Sequence, residues 1–224
     1  MSEANIDRRV VRTKRLIREA LTELIEEKGL AAITVCNLTD RADINRGTFY
    51  AHYRDKADLL DQLENELIDN ITLLQSTAET LTKADLFRAY CNDEPMPFAV
   101  SLYRYLQENG EFIRALIGPK GDPAFQPRLQ EIVSRNVVDY ILAPRYRENM
   151  NSFTRYYVEY HTNAQLGVIK AWLDGGMKES PEEMACSVVQ IMFLVPGESI
   201  DMHRSRGSSI ADANAEDRRR AAMG

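Results

Sequence analysis

The sequence predicts an all-α protein with a small helix-turn-helix domain at its N-terminus and a larger helical bundle behind it. Apolar residues recur at three- and four-residue spacing through most of the 224 residues. No segment shows the two-residue alternation that is typical of a strand. Near the N-terminus, two short predicted helices are joined by a three-residue turn, which is the spacing of a helix-turn-helix.

The first three predicted helices form the N-terminal domain. The first covers residues 8–28 and carries one apolar stripe, and Gly29 suits the left-handed residue that ends it. Thr34 is the expected N-cap of the second helix. Residues 43–45 form the turn, and a third helix follows over about 46–53.

A long fourth helix begins after Asp55 and carries apolar residues on one side as far as Leu74. The two prolines in 92–97 then break the helical pattern. Ser180 and Pro181 combine a capping side chain with a first-turn proline and predict another helix start. The helices expected beyond the break cover about 98–108, 110–117, 124–143, 152–174 and 181–194.

Charge and composition limit the classes of protein to which the chain can belong. The net charge is -6, yet residues 1–56 hold eleven Lys or Arg and nine Asp or Glu. A basic head on an acidic body favours binding of nucleic acid through the head. Three scattered cysteines and a polar N-terminus without a signal sequence indicate a cytoplasmic protein. We expect a helix-turn-helix domain at 1–55, a helical body at 56–197 and a disordered tail at 198–224.

The third predicted helix has two different faces at about 100° per residue. Phe49 and Tyr53 point together toward the core. Gly47 and Ala51 lie on the opposite face, where small side chains let the helix approach the floor of a groove. Arg46, in the first turn, is placed to reach base edges, most favourably guanine.

Polar side chains flank that outer face. Tyr50, Thr48 and His52 can donate hydrogen bonds to the phosphates on the groove walls. Lys56 opens the fourth helix, where its ammonium group and the free backbone N–H groups form an anion site.

Residues 44–60, INRGTFYAHYRDKADLL, resemble the recognition helix and following turn of TetR/AcrR-family transcriptional regulators, and the resemblance extends over about residues 8–72. It implies base or groove contacts from four residues: Asn45, Arg46, Gly47 and Thr48. It implies phosphate contacts from four more: Thr34, Tyr50, His52 and Lys56.

The resemblance also implies a C-terminal bundle that binds a small molecule and forms a homodimer. The aromatic residues available for a pocket are Phe98, Tyr103, Phe112, Tyr140, Tyr157 and Trp172. The residues expected at the dimer interface are Tyr156, Tyr160, Met184, Val188, Ile191 and Met192. Ordinary packing inside one chain explains both sets equally well.

The function expected from the resemblance is a ligand-responsive regulator, a repressor, that binds a pseudo-palindromic operator in double-stranded DNA as a dimer. The alternative is a TetR-like co-activator that acts through a protein partner. An enzyme is the rival class, but the common nucleotide, zinc-protease and hydrolase motifs are absent and the three histidines do not cluster. We therefore expect no catalytic residue, cofactor or metal. No apolar run approaches the ~20 residues of a membrane span.

Overall fold

The computed structural model describes residues 3–78, 82–136, 138 and 150–193, and within these ranges it contains helices and no strand. The all-α prediction is confirmed. The helices are α1 (Glu3–Lys28), α2 (Val35–Arg41), α3 (Arg46–Tyr50), α4 (Lys56–Ser76), α5 (Lys83–Asn92), α6 (Pro97–Glu108), α7 (Gly110–Ile117), α8 (Phe125–Asn136), α9 (Ser152–Asp174) and α10 (Pro181–Phe193), with one 3-10 turn at Leu30–Ala32. None of the described helices is both long and apolar enough to cross a membrane.

The predicted starts of α2 and α4 are confirmed, and side-chain caps satisfy the free N–H groups there. The Thr34 hydroxyl accepts from the Asn37 N–H at 3.2 Å, and Asn37 Oδ1 accepts from the Thr34 N–H at 3.1 Å. Asp55 Oδ1 accepts from the Asp58 N–H at 2.8 Å and starts α4. Gly29 has the positive φ of 82° expected of a glycine after α1, but its ψ of 150° differs from that of the left-handed C-cap that was predicted.

Three predictions differ from the structure. α1 begins at Glu3 rather than at Arg8. α3 ends at Tyr50 rather than near Tyr53, because the chain must turn into the extended conformation of Asp55 that caps α4. The helix α5 was not predicted at all. It covers only ten residues, and it begins at a capping box between Thr82 and Asp85.

One hydrophobic core runs from the helix-turn-helix helices into the body. Leu21 of α1 and Phe49 of α3 are fully buried, and Leu59 and Leu67 of α4 continue the core toward Leu116 of α7. α4 packs against α6 and α8, and α1 packs against α7 as well as α2. The division of the chain into domains at residues 55 and 56 remains a prediction, since α4 belongs to both parts of this core.

A loop of the helical body binds the end of α1 through hydrogen bonds. We call residues 118–123, between α7 and α8, the junction loop. The carbonyl of Lys120 accepts from the Leu30 N–H at 2.8 Å, and its ammonium group donates to the carbonyls of Glu26 and Glu27 at 2.7 and 3.2 Å. On the other side, Lys56 Nζ donates to the Leu30 carbonyl at 2.9 Å. The turn after α1 is therefore held by both the body and the start of α4.

Candidate nucleic-acid interface

The turn between α2 and α3 is closed by backbone contacts. The Ile44 N–H donates to the Thr39 carbonyl at 3.0 Å. Asp43 adopts a positive φ of 51°, a conformation that a short polar side chain tolerates better than most. These contacts place α3 across α2 in the arrangement of a helix-turn-helix.

The two faces of α3 point as the helical wheel predicts. Phe49 is fully buried and Tyr53 is nearly so, whereas Gly47, Ala51 and Tyr50 are exposed. The small side chains on the outer face leave the backbone of α3 open to a close approach. An exposed face of this kind, on a helix anchored by a buried aromatic residue, can enter a major groove.

Tyr50 is an exposed aromatic residue with a fixed position. Its side chain is 56% exposed, and its ring meets the buried Phe49 ring edge to face, with 5.6 Å between centroids. The core therefore orients the Tyr50 ring, and its hydroxyl group keeps a donor for a phosphate oxygen.

Arg46 makes a contact that the sequence reasoning missed. Its Nη2 donates to the Sγ of Cys36 on α2 at 2.9 Å, and the Cys36 thiol donates in turn to Asp40 Oδ2 at 3.3 Å. The four-residue spacing of Cys36 and Asp40 indicates that they are neighbours on one helix face. Only the folding of α3 against α2 brings Arg46 to them.

Two predicted contact residues already serve as helix caps. Asn45 Oδ1 accepts from the Gly47 N–H at 2.8 Å, so only the amide nitrogen of Asn45 remains as its side-chain donor. The Thr34 hydroxyl donates to Asn37 Oδ1 at 2.9 Å while it accepts from the Asn37 N–H. A phosphate contact from Thr34 would have to replace the bond to Asn37 Oδ1.

Thr48, His52 and Lys56 are half-buried at the edge of the α3 face. The His52 ring lies 6.3 Å from the ring of the buried Tyr53, between centroids. Lys56 was predicted as an open anion site, but its ammonium group is already bound to the Leu30 carbonyl. Two of its three N–H donors remain for another partner.

Nearby cations are partly neutralised within the domain. Arg41 forms ion pairs with Glu23 and Glu27 at 2.8 and 2.7 Å. Arg54 pairs with Asp58 at 3.0 Å, and the pKa of Asp58 is lowered by hydrogen bonds from the Arg54 backbone and guanidinium group. These pairs leave Arg46 as the cation at the outer face of α3.

Three of the six predicted pocket residues lie in the core of the chain. Tyr103, Phe112 and Trp172 are buried, and the Tyr103 and Trp172 rings pack edge to face at 5.4 Å, as in an ordinary core. Phe98 and Tyr157 are half-buried. The sixth residue, Tyr140, lies outside the described residues.

Two cavities in the described part of the chain differ in size and openness. An apolar cavity of about 20 Å³ lies between α4, α6, α7, α8 and α9, and none of the predicted pocket residues lines it. An open cleft of about 710 Å³ lies between α1, the start of α4 and the corner of α6 and α7, and Phe112 lines it. The apolar cavity of about 20 Å³ has room for about one water molecule.

The six predicted interface residues divide into exposed and buried ones. Tyr156 and Tyr160 on α9 and Ile191 on α10 are exposed. Val188 and Met192 are half-buried. Met184 differs from the prediction, because it is only 6% exposed and packs in the core of its own chain, which leaves almost no surface for a partner subunit.

The fold and the exposed α3 face define a helix-turn-helix DNA-binding protein, and comparison with known proteins gives the family. A model described as bacterial regulatory proteins, tetR family, matches residues 17–63, and a model described as transcriptional regulator C-terminal region matches residues 93–193. Together they cover about two thirds of the chain. The chain belongs to the TetR family of transcriptional regulators.

Individual relatives agree with this family. An uncharacterized HTH-type transcriptional regulator of Bacillus subtilis, YxbF, is 39% identical over 82 residues, which are 34% of this chain and only 22% of that protein. A TetR regulator of Streptococcus agalactiae has the same fold, with a TM-score of 0.51 and 22% identity over 85% of this chain and 98% of that one. The fatty acid degradation regulator FadR of Bacillus halodurans has a TM-score of 0.56 and 15% identity over 80% and 94% of the two chains.

Proposed function

We propose that this protein is a cytoplasmic repressor that binds a pseudo-palindromic operator as a homodimer and releases it when a small-molecule effector binds. The observation that carries the proposal is the outer face of α3, where Gly47 and Ala51 are exposed between Arg46 and the exposed Tyr50. This face is small at its centre and polar at its edges. It suits a helix that lies deep in the major groove.

The contacts in this complex follow from where each donor lies. Arg46, in the first turn of α3, reaches base edges, and its five N–H donors suit the two acceptors of guanine. Asn45, Gly47 and Thr48 line the groove beside it. The phosphate contacts come from the donors at the edges of the face: Thr34, Tyr50, His52 and Lys56.

The homodimer is supported by an exposed aromatic stripe on α9. Phe153, Tyr156 and Tyr160 are 76%, 71% and 70% exposed, although they are large and apolar. At about 100° per residue they lie within an arc of roughly 60° on one side of the helix. A contiguous aromatic patch of this kind indicates a protein interface.

The same stripe continues with small residues: Ala164, Gly167 and Ala171. A Cβ added at Gly167 would meet no atom of its own chain within 4 Å, so packing within the chain does not require glycine there. If two copies of α9 cross in antiparallel directions near residue 162, Tyr156 of one subunit lies opposite Gly167 of the other. The large half of each helix then fits the small half of its partner, as a two-fold interface requires.

An effector that binds at the apolar cavity, rather than in the open cleft, has to widen that cavity. The cavity between α4 and α8 has about 20 Å³, far below the roughly 300 Å³ of a small-molecule pocket. Its lining is apolar except for the amide of the buried Gln75 on α4. We therefore expect an apolar effector with one hydrogen-bonding group, whose entry pushes α4 outward and changes the position of α3.

The co-activator alternative requires no intact DNA-binding face. Because Arg46 and Tyr50 are both exposed on α3, we favour direct operator binding.

The test is selection of bound fragments from the DNA of the source organism at two salt concentrations. Wild-type protein is expected to enrich a palindrome, with an affinity that falls steeply with salt. Arg46→Ala is expected to lose the enrichment. Arg135→Ala, which removes an exposed arginine of α8 that pairs with Glu131, is the matched control and should behave as wild type. A protein that enriches no fragment at either salt concentration is not an operator-binding repressor.

A further inference from the structure

Glu64 of α4 is a buried carboxyl group with too few hydrogen-bond donors. Its side chain is 2% exposed. Oε2 accepts from Arg128 Nη1 at 2.6 Å, whereas Oε1 has no partner among the described residues. A buried carboxylate oxygen without a donor is costly, which favours a protonated carboxyl group that donates to a neighbouring acceptor.

Asp122 of the junction loop offers an acceptor for a protonated Glu64. Its carboxyl group lies within hydrogen-bonding reach of Glu64, and its Oδ1 accepts from the Ala124 N–H at 2.9 Å. Two ionised carboxylates at this range repel each other, whereas a proton on Glu64 converts the repulsion into a hydrogen bond. With that proton, the Glu64, Asp122 and Arg128 side chains carry no net charge together, and without it they carry one negative charge.

The proton is bound in the neutral pH range. Burial raises the pKa of Glu64 to about 7, with help from the hydrogen bond and the charge of Asp122, while Arg128 acts in the opposite direction. The charged groups that face Glu64 are Asp122 from the junction loop and Arg128 from α8. Arg128 is itself held by Asn65, so it cannot swing freely to Asp122.

The position of this pair connects it to the helix-turn-helix. The junction loop binds the end of α1 through Lys120, and it binds Leu30 through its backbone. A Cβ at Gly121 would collide with the Leu116 carbonyl, so the loop backbone is packed tightly on α7. A force on Asp122 is therefore transmitted to Lys120 and to the end of α1.

We propose that Glu64 and Asp122 form a proton-binding site that sets the position of the helix-turn-helix, and that the proton is an effector of this regulator. With the proton bound, α4 and the junction loop are joined and Lys120 holds α1. Loss of the proton separates Asp122 from Glu64 and weakens the hydrogen bonds between Lys120 and the end of α1. Operator affinity falls as a result. The effect on the operator rests on the proposed function, whereas the proton site itself does not.

The first experiment tests the proton site by thermal unfolding between pH 6 and pH 8. Because the pKa of Glu64 is raised in the folded protein, its proton stabilises the fold at low pH, and this contribution is lost as the pH rises through about 7. Wild-type protein is expected to lose about 5 °C in Tm across this range. Glu64→Gln keeps a permanent donor toward Asp122 and should remove this loss.

Two further variants serve as a second test of the proton site and as a control. Asp122→Asn removes the hydrogen bond and the charge that help to raise the pKa of Glu64 but leaves the burial, so the loss of Tm between pH 6 and pH 8 should become smaller. This variant provides a second test if Glu64→Gln prevents folding. Glu131→Gln changes an exposed glutamate that pairs with Arg135 on α8, and it should behave as wild type. Identical pH profiles for wild type and for both the Glu64 and Asp122 variants would overturn the proton site.

The second experiment measures operator affinity at pH 6, 7 and 8 at constant salt. Wild type is compared with Glu64→Gln, so that any pH dependence shared by the two proteins cancels. The affinity of wild type is expected to weaken about fivefold or more relative to that of the Glu64→Gln protein. Equal pH dependence in both would overturn the regulatory role. If no operator is found at any pH, the proposed function fails while the melting curves still decide the proton site.

Discussion

The guanidinium group of Arg46 lies 2.9 Å from the sulfur atom of Cys36, so the first residue of α3 is bound to α2 across the turn. The Cys36 thiol in turn donates a hydrogen bond to Asp40 Oδ2. A long exposed arginine loses much rotamer freedom when it binds a base. The contact with Cys36 restrains Arg46 before DNA binds, so less rotamer freedom is lost on binding.

Cys36→Ala is therefore expected to weaken operator binding a few-fold, because Arg46 becomes more mobile in the free protein. Arg46→Ala should cost more, about 1–3 kcal/mol, with relaxed specificity at one base pair. In a double-mutant cycle read by fluorescence anisotropy, the two changes should be non-additive. Cys36→Ser keeps a donor and an acceptor and should retain most of the affinity. Strictly additive effects would show that the Cys36 contact plays no part in binding.

Tyr50→Phe is expected to weaken operator binding without changing its sequence preference. The substitution removes only the hydroxyl donor and keeps the ring that packs on Phe49, so the fold should be unaffected. A phosphate contact acts equally on all sequences. Binding to the operator and to a scrambled duplex should therefore weaken by the same factor, and a loss confined to the operator would assign Tyr50 to base recognition instead.

Gly167→Leu is expected to prevent formation of the proposed dimer, because the added side chain would occupy the place that the proposed interface gives to Tyr156 of the second copy. Space around Gly167 within its own chain is open, so the monomer should fold normally. Arg155→Leu adds the same residue on another exposed side of α9 and serves as the control. Light scattering at micromolar concentration measures both, and a dimer that persists in the Gly167 variant would exclude the antiparallel α9 interface.

Lys120→Met is expected to loosen the end of α1. It removes the ammonium donor to the Glu26 and Glu27 carbonyls but keeps the length of the side chain. Amide hydrogen exchange around Leu30 should accelerate by about tenfold, which corresponds to roughly 1.4 kcal/mol of local stability. The helices of the body should exchange at their wild-type rates. Uniform acceleration through the whole chain would instead indicate a loss of global stability.

Prediction from the sequence worked best where the information is local. The caps at Thr34 and Asp55, the positive φ of Gly29 and the two faces of α3 all follow from residues a few positions apart. The same reasoning missed α5, which has only ten residues.

Spacing along a helix could not separate residues that face the core of their own chain from residues that face outward. Met184 and Ile191 follow the same apolar pattern on α10, yet Met184 is buried and Ile191 is exposed. Likewise, Tyr103 and Trp172 were pocket candidates and pack against each other instead. Which neighbour covers a given face depends on how the other helices pack.

The sequence by itself determined the all-α class, the helix-turn-helix and the residues on the outer face of α3, because helix periodicity and capping act within one or two turns. Only the tertiary structure decided that Arg46 meets Cys36, that Lys120 grips α1 and that Glu64 is buried beside Asp122. Glu64 and Asp122 are 58 positions apart in the chain. Their contact exists because α4 packs against α8 and the loop before it, and no local pattern encodes that packing.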